Sequence, residues 1–338
     1  MGRRPAARGA LIDSSDAGPD PGAGAPGSSD PAGLGHSSDP AGLYGPDSVA
    51  WRLDREAMLL LGAGPRALLL QIAHPLVAEG VDQHSAFRLD PWARLQATLR
   101  SYLRIVYGSA GAAHAEIRRL NALHVPIAGD VRDAEARARF GATYRARDPE
   151  LSLWVHATLV DSTLVTYERW LAPLLPADRA RFYAETVPIG RAFGVPPHLL
   201  PPDLEAFEAY MVAMLALDGP IQVSATARDL ARTILHPPLG PLHPALGWIP
   251  APLYDWTMWP ALALLPERVR EAYVGREAPV RRAVAGWLLA GWQAWRPLLP
   301  GWFRQMPQAL AADRRMRDRA AQARLPRHTE VPPSAPRP

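Results

Sequence analysis

Apolar residues recur every three or four positions along most of the chain, and this spacing predicts helices. Between residues 91 and 107 the apolar stripe consists of Trp92, Leu95, Leu99, Tyr102, Leu103 and Val106. Asp90-Pro91 and Asp148-Pro149 each combine a capping aspartate with a proline at the first helical position. Neither sustained alternation of period two nor an Asn-Gly or Asp-Gly turn between apolar runs is found. We therefore predict an all-α fold.

The helical pattern predicts a single domain of about ten helices over residues 46–325. The predicted helices are Val49–Gly62, Pro65–Ala73, Pro91–Tyr107, Ala110–His124, Pro149–Leu171, Ala177–Phe193, Asp203–Leu215, Ala225–Leu235, Glu267–Tyr273, Pro279–Trp295 and Gln308–Ala323. Gly62-Ala63-Gly64-Pro65 is interpreted as a break between the first two. Pro149–Leu171 is apolar nearly all round, which is typical of a buried central helix.

Both ends of the chain are predicted to be disordered tails. Residues 1–45 are rich in Gly, Pro, Ser and Asp and contain the repeat SSDPAGL at Ser28–Leu34 and Ser37–Leu43. Residues 326–338 form the second tail. Such compositions bury too little apolar surface to offset the entropy of ordering.

Composition excludes several functional classes. The chain has no cysteine, so disulfides, thiolate metal sites and a cysteine nucleophile are excluded. It also has no lysine, which excludes Schiff-base and P-loop lysine chemistry. The formal charge of +4 is intermixed with acids, so nucleic acid is not an expected partner. The polar stretch after Arg3-Arg4 predicts no export signal, and no apolar run is long enough to span a membrane, so we expect a cytoplasmic protein.

A helical hairpin around Gly108-Ser109 carries the main candidate site. With a rise of about 1.5 Å per residue, Arg94 lies roughly 21 Å before the turn and His124 roughly 22 Å after it. An antiparallel pair therefore brings His124 level with Arg94 and Thr98. His124 follows Ile117 and Leu120 at helical spacing, which places it on the buried stripe.

Each of these residues has two interpretations. His124 is either an axial ligand of a haem iron or a core histidine bonded to a carbonyl. Arg94 needs an anionic partner, which is a haem propionate or a carboxylate of a neighbouring helix. Glu79 acts either as a base or as the structural partner of Arg94.

The other histidines suggest pocket or turn positions. His74, which precedes Pro75, either lines a pocket or caps a helix end, and His84 is expected to make hydrogen bonds in a turn. Zinc is disfavoured because the HExxH motif is absent, and the absence of GxSxG, GxxxxGK and GxGxxG disfavours serine hydrolase, P-loop and Rossmann functions.

Taken in order, four segments resemble a known family. They are LLLGAGPRALLLQIAHPLVAEGVDQHSAF, DPWARLQATLRSYLRIVYG, LHVPIAG and YRARDPELSLWVHATLVDS, within Trp51–Pro238. This set is similar to the haem-dependent oxygenases that include latex-clearing proteins (rubber oxygenases) and the MpaB-like oxygenase of mycophenolic acid biosynthesis. The resemblance implies an all-α fold that holds haem b without a covalent bond.

The resemblance also implies roles for individual residues. The axial histidine of the latex-clearing members corresponds to His124, their arginine and threonine to Arg94 and Thr98, a further histidine to His156, and the proposed base approximately to Glu79. Ala97 stands where those members have a lysine that can occupy the distal iron position, so closure by lysine and polyisoprene cleavage are not expected here.

The expected function is therefore that of a haem b oxidoreductase of oxygenase type. It would use O2 on a small apolar or isoprenoid-like substrate, because the positions around the site are Leu, Val, Ala and aromatic residues. One alternative is a non-catalytic helical protein that binds a ligand with the same fold. Another is a peripheral membrane protein that uses the tryptophan-rich segment Ala283–Phe303 as an interfacial helix.

Overall fold

The computed structural model describes residue 39 and residues 41–84, 91–236, 258–275 and 279–324. These residues are mostly helical, which confirms the all-α class. The helices are α1 Val49–Asp54, α2 Ala57–Ile72, α3 Pro75–His84, α4 Pro91–Tyr107, α5 Ala110–His124, α6 Ala134–Phe140, α7 Pro149–Trp170, α8 Pro176–Ala192, α9 Leu204–Leu215, α10 Ala225–Leu235, α11 Glu267–Val274, α12 Pro279–Trp295, α13 Gly301–Arg304 and α14 Pro307–Ala323. Residues 258–262 are also helical, and Arg296–Leu298 form a 3₁₀ turn.

Helices α2 and α7 form the centre of the core. The Trp154 indole of α7 donates to the Leu70 carbonyl of α2 at 3.2 Å. The buried Arg66 of α2 pairs with Asp161 of α7 at 2.7 Å and donates to Ser162 at 2.8 Å. Since buried charges are stable only when paired and hydrogen-bonded, this contact fixes one helix against the other.

The predicted break at Gly62–Pro65 is wrong, because α2 continues through it. A Cβ atom on Gly62 would lie 2.6 Å from the Thr166 side chain and 2.7 Å from the Trp170 ring. Glycine at this position therefore permits the close approach of α2 and α7 rather than a turn. The interruption lies earlier instead, at residues 55–56 between α1 and α2.

Besides the helix at residues 258–262, α13 and the 3₁₀ turn, the predicted helices lack the elements between α2 and α7 that surround the hairpin. These elements are α3, α6 and a two-stranded antiparallel sheet of β1 Ala128–Asp130 and β2 Thr143–Arg145, in which Gly129 lies opposite Tyr144. Strands of three residues are too short to show an alternating pattern. The two strands lie on either side of α6 in the sequence and, with it, connect α5 to α7.

The hairpin of α4 and α5 has the predicted antiparallel arrangement. Ser109 caps α5 by accepting from the Ala112 amide at 3.3 Å. Ser101 of α4 donates to Glu116 of α5 at 2.6 Å, which sets the register of the two helices. Arg94 lies about two helical turns before Ser101 on α4, so this register places it beside the end of α5.

Part of the predicted N-terminal tail falls among the described residues. The turn at residues 41–44 packs Leu43 and Tyr44 against the core, so described structure extends to the N-terminal side of the predicted boundary at residue 46. Residues 1–38, 40 and 325–338 lie outside the described residues, so the predictions for the first copy of the SSDPAGL repeat and for the C-terminal tail stay predictions.

Within the described ranges, no single helix has both the length and the apolar character needed to cross a bilayer. Among these residues, α2 and α3 together have the length and apolar composition of a span, but they are bent by 101° at their junction.

Candidate functional site

His124 is the last residue of α5 and is half-buried. Its Nδ1 atom lies 2.7 Å from the Leu120 carbonyl oxygen. Because a carbonyl oxygen can only accept a hydrogen bond, this contact requires the proton on Nδ1, and in a neutral imidazole Nε2 then has a lone pair. An imidazole held in this way by a backbone carbonyl is the form that binds metals.

The ends of α4 and α5 furthest from their connection expose apolar side chains. Leu95 on α4 is 42% exposed, and Leu123 and Val125 near the end of α5 are 51% and 61% exposed. Leu95 belongs to the stripe of α4 that was predicted to be buried, but burial of that stripe is complete only nearer the connection, as at Leu103. The open end of the hairpin thus presents an apolar surface next to the His124 imidazole.

Arg94 lies on the exposed part of α4 and forms no ion pair with any of the described residues. Partial desolvation of its guanidinium by surrounding atoms lowers its pKa. The Thr98 hydroxyl donates to the Arg94 carbonyl at 2.9 Å, so its proton is used within the helix while its lone pairs remain. Arg94 is therefore a cation with which an anion at this surface could pair.

Ala97 is half-buried on the same helix, between the two polar residues. A methyl group provides neither a donor nor a ligand atom. Whatever occupies this surface meets an apolar contact at that position.

The structure contradicts the predicted pairing of Glu79 with Arg94. Glu79 is 1% exposed, and its Oε2 atom accepts from Arg132 at 2.8 Å and from Gln83 at 2.8 Å. Its Oε1 atom accepts from the Arg132 and Asp133 amides at 3.3 and 3.2 Å. With both oxygens engaged, Glu79 ties α3 to the segment before α6 and has a structural role here.

His74 is buried at the junction of α2 and α3. Its Nδ1 accepts from the Leu76 amide at 3.3 Å, and its ring centroid lies 5.2 Å from that of Phe140. Burial lowers its pKa to about 4, with Asp148 opposing the shift and Arg139 adding to it. The geometry matches the helix-capping interpretation, and the pocket-lining role stays a prediction.

His156 is buried in α7, and its Nε2 atom has no hydrogen-bond partner among the described residues. A Cβ atom on Gly190 of α8 would lie 3.2 Å from this nitrogen. Burial lowers the pKa of His156 to about 4, so the imidazole is neutral at pH 7. An unpartnered polar atom in a core costs stability, which makes His156 a candidate for contact with a bound group.

His84 was predicted to make hydrogen bonds in a turn, but it is the last residue of α3 and its contact is with a residue distant in the sequence. Its Nε2 lies 3.0 Å from the Ala128 carbonyl oxygen, which joins the end of α3 to β1. His114 lies further back on α5, and its buried Nε2 has no partner among the described residues.

Sequence reasoning missed a polar cluster between α1 and α4. Asp54 is 3% exposed, and the Tyr102 hydroxyl donates to it at 2.8 Å. Burial raises the pKa of Asp54 to about 7, although the bond from Tyr102 opposes this shift. No spacing rule connects Asp54 with Tyr102, because they come from helices separated by α2 and α3.

No group of three or more His, Cys, Asp or Glu side chains among the described residues is arranged to hold a metal ion.

A family model described as "ER-bound oxygenase mpaB/B'/Rubber oxygenase, catalytic domain" matches residues 51–295. The chain belongs to this family. The match covers all the candidate residues and agrees with the family predicted from the four segments. The printed description of this family is that of an oxygenase catalytic domain.

Two relatives of the chain are uncharacterized proteins, one from Mycobacterium bovis and one from Mycobacterium tuberculosis. Each is 29% identical over 172 residues, which is 49% of this chain and 63% of the relative. The chain thus matches less than two thirds of the length of these curated relatives. No solved structure matches the chain.

Proposed function

We propose that this member of the MpaB/rubber oxygenase family is a haem b-dependent oxidoreductase that uses O2 on a small apolar or isoprenoid-like substrate. Family membership supports the oxygenase class. The observation that supports a haem ligand is the contact of His124 Nδ1 with the Leu120 carbonyl, because in a neutral imidazole that contact leaves Nε2 available to iron.

The surface around His124 fits a flat apolar group. The side chains of Leu95, Leu123 and Val125 are exposed. Covering them with such a group would contribute about 25 cal/mol of binding free energy for each Å² of apolar surface removed from water. A bound haem would supply the iron that activates O2. Apolar walls of this kind would also select a substrate without charge.

Arg94 is proposed to bind an anionic substituent, such as a propionate. Its guanidinium is partly desolvated and has no carboxylate partner among the described residues. A charge-assisted bond to a carboxylate would offset that desolvation. Thr98, one turn along the same face, can accept a hydrogen bond through its hydroxyl lone pairs.

The buried imidazoles are proposed to act as neutral contacts. His156 can donate or accept only where the bound group approaches its unpartnered Nε2. His74 would contribute through its ring, because its Nδ1 already accepts a backbone bond. Glu79 is not assigned as the base, since both its oxygens are engaged.

The absorption spectrum of the full chain, purified and supplied with haem, tests the proposal. We expect a Soret band that is lost or displaced in His124→Ala and retained in the matched control His114→Ala, which changes a histidine of the same helix. Absence of a Soret band, or the same spectrum in both variants, would refute haem ligation by His124.

A second candidate is a protein that binds haem or another apolar ligand without oxygenating a substrate. Two observations favour it, the engagement of Glu79 and the methyl group at Ala97 in place of a lysine. Oxygen uptake by the haem-loaded chain with a series of alkenes and terpenoids distinguishes the two. Uptake coupled to product formation supports the oxygenase, and haem binding with no uptake supports the second candidate.

A further inference from the structure

Helix α12 is apolar on two opposite faces. Its inner face packs against the protein, where Ala285 is buried and Leu289 packs partly against the main core. Gln293 fixes this face by donating to the Arg169 carbonyl at the end of α7 at 2.9 Å. A helix at the surface of a soluble protein normally has polar residues on the opposite face.

The outer face of α12 instead exposes large apolar side chains. Val280, Trp287, Leu288 and Trp295 are 67%, 85%, 53% and 66% exposed. They fall within an arc of about 100° when successive residues are placed 100° apart. A shallow groove of about 390 Å³ on this helix is lined by Ala283, Val284, Trp287, Leu288, Gly291 and Trp292.

The apolar surface continues past the end of the helix. Leu298, Trp302 and Phe303 are 73%, 71% and 57% exposed. We call the exposed residues of α12 together with these three the tryptophan face. Monomeric soluble proteins rarely expose contiguous apolar patches of more than a few hundred Å² without a partner for them.

The charge of this segment limits what the partner can be. Residues 278–312 contain four arginines and no Asp or Glu. Two of the arginines, Arg296 and Arg304, pair with Glu56 on the protein side. A second copy of the chain would bring arginine-rich segments together without an acid between them, so an anionic partner is favoured.

We propose that the tryptophan face binds the interfacial region of a lipid bilayer that carries anionic headgroups. Tryptophan is enriched at the boundary between headgroups and acyl chains, where its ring is buried and its N–H stays hydrated. The 17 residues of α12 are fewer than the roughly 20 needed to span the hydrocarbon. The helix would therefore lie along the membrane surface.

Flotation of the full chain with vesicles tests this proposal. We expect more protein to float with phosphatidylcholine vesicles containing phosphatidylglycerol than with phosphatidylcholine alone. The difference should shrink as salt screens the arginines, each of which contributes up to about fivefold near an anionic surface. Native tryptophan fluorescence should shift to shorter wavelength and be quenched by lipids with brominated acyl chains.

A matched pair of variants locates the binding surface. Trp287→Ser with Trp295→Ser should weaken partitioning at least about tenfold, because each indole buries on the order of 150–250 Å². Val212→Ser with Leu217→Ser removes side chains that are 72% and 81% exposed elsewhere on the molecule and should leave partitioning unchanged. Circular dichroism and haem uptake should match wild type in both, since the changed side chains are on the surface.

Several results would overturn the proposal. These are equal flotation of the tryptophan variant and wild type, flotation that does not depend on phosphatidylglycerol, and no flotation with either vesicle. A concentration-dependent dimer in light scattering that the tryptophan variant abolishes would assign the face to a second copy instead. If the variant misfolds, the bromolipid quenching of the wild-type chain decides, and its absence overturns the proposal.

Discussion

The close approach of α2 to α7 makes Gly62 the most informative position for a stability measurement. Replacing Gly62 with alanine adds a Cβ atom 2.6 Å from Thr166 Cγ2 and 2.7 and 2.8 Å from two ring atoms of Trp170. Trp170 is a buried member of the main core, so its ring cannot move without disturbing its neighbours. The helices must separate or the ring must shift.

The magnitude follows from two opposing effects. Overpacking a core typically costs about 1–3 kcal/mol. Alanine gains about 1 kcal/mol over glycine inside a helix. Because three contacts lie below 3 Å, we expect overpacking near its upper range and a net loss of about 2 kcal/mol. That corresponds to a fall in Tm of about 5 °C for a chain of this size.

The control is Gly286→Ala in α12, where an added Cβ meets no atom within 4 Å. Only the helix-propensity gain applies there, so the variant should be unchanged or more stable by up to about 1 kcal/mol. Urea unfolding followed by circular dichroism measures both. In a double-mutant cycle, Thr166→Ala should relieve part of the Gly62→Ala loss. Equal, stabilising effects of the two glycine substitutions would refute the close packing of α2 on α7.

Four further predictions concern the charged and titrating groups. Glu79→Gln should lower the free energy of unfolding by about 1–3 kcal/mol in urea, because the new amide faces donors that the carboxylate satisfied. The wild type should lose stability as pH rises from about 4 to 7, because the folded-state pKa of Asp54 is raised to about 7. Asp54→Asn lacks this titration, so its free energy of unfolding relative to wild type should increase over the same pH range. As pH falls from 6.5 to 4, the wild type should lose stability, because the His156 imidazole takes up a proton in the unfolded chain below about 6.5 but in the folded chain only near its pKa of about 4. His156→Leu lacks this titration and should lose less stability over the same range. Arg94→Gln should weaken haem binding by roughly tenfold or more without moving the Soret band, whereas His124→Ala should move it.

The helices that the sequence predicted best are those whose ends are marked locally. Ala225–Leu235 has the predicted bounds because Ser224 caps its first turn. Ala110–His124 likewise begins after Ser109. At Gly62–Pro65, by contrast, the local glycine and proline indicated a break. The deciding contact was with α7, about a hundred residues further along the chain, where local pattern gives no signal.

Local sequence signals predicted the arrangement of α4 and α5 at the candidate site, but not the partner of Glu79. The register of α4 on α5 was predictable because a tight connection at Gly108-Ser109 fixes it, and the contact of Ser101 with Glu116 agrees. The partner of Glu79 was not predictable. Arg132 lies on the segment between β1 and α6, and neither element was recognised in the sequence.

The hydrogen-bond and ion-pair partners of the polar side chains distinguish structural residues from those available to a ligand. Glu79 is buried and has all its hydrogen bonds within the protein, so it needs nothing more. Arg94 is partly desolvated without a carboxylate among the described residues, and His156 has a buried nitrogen without a donor or acceptor there. A buried nitrogen such as that of His156 costs stability unless a bound partner satisfies it, whereas the exposed Arg94 guanidinium is accessible to a ligand. Haem binding should therefore stabilise the wild type more than Arg94→Gln, and thermal unfolding with and without haem would show that difference.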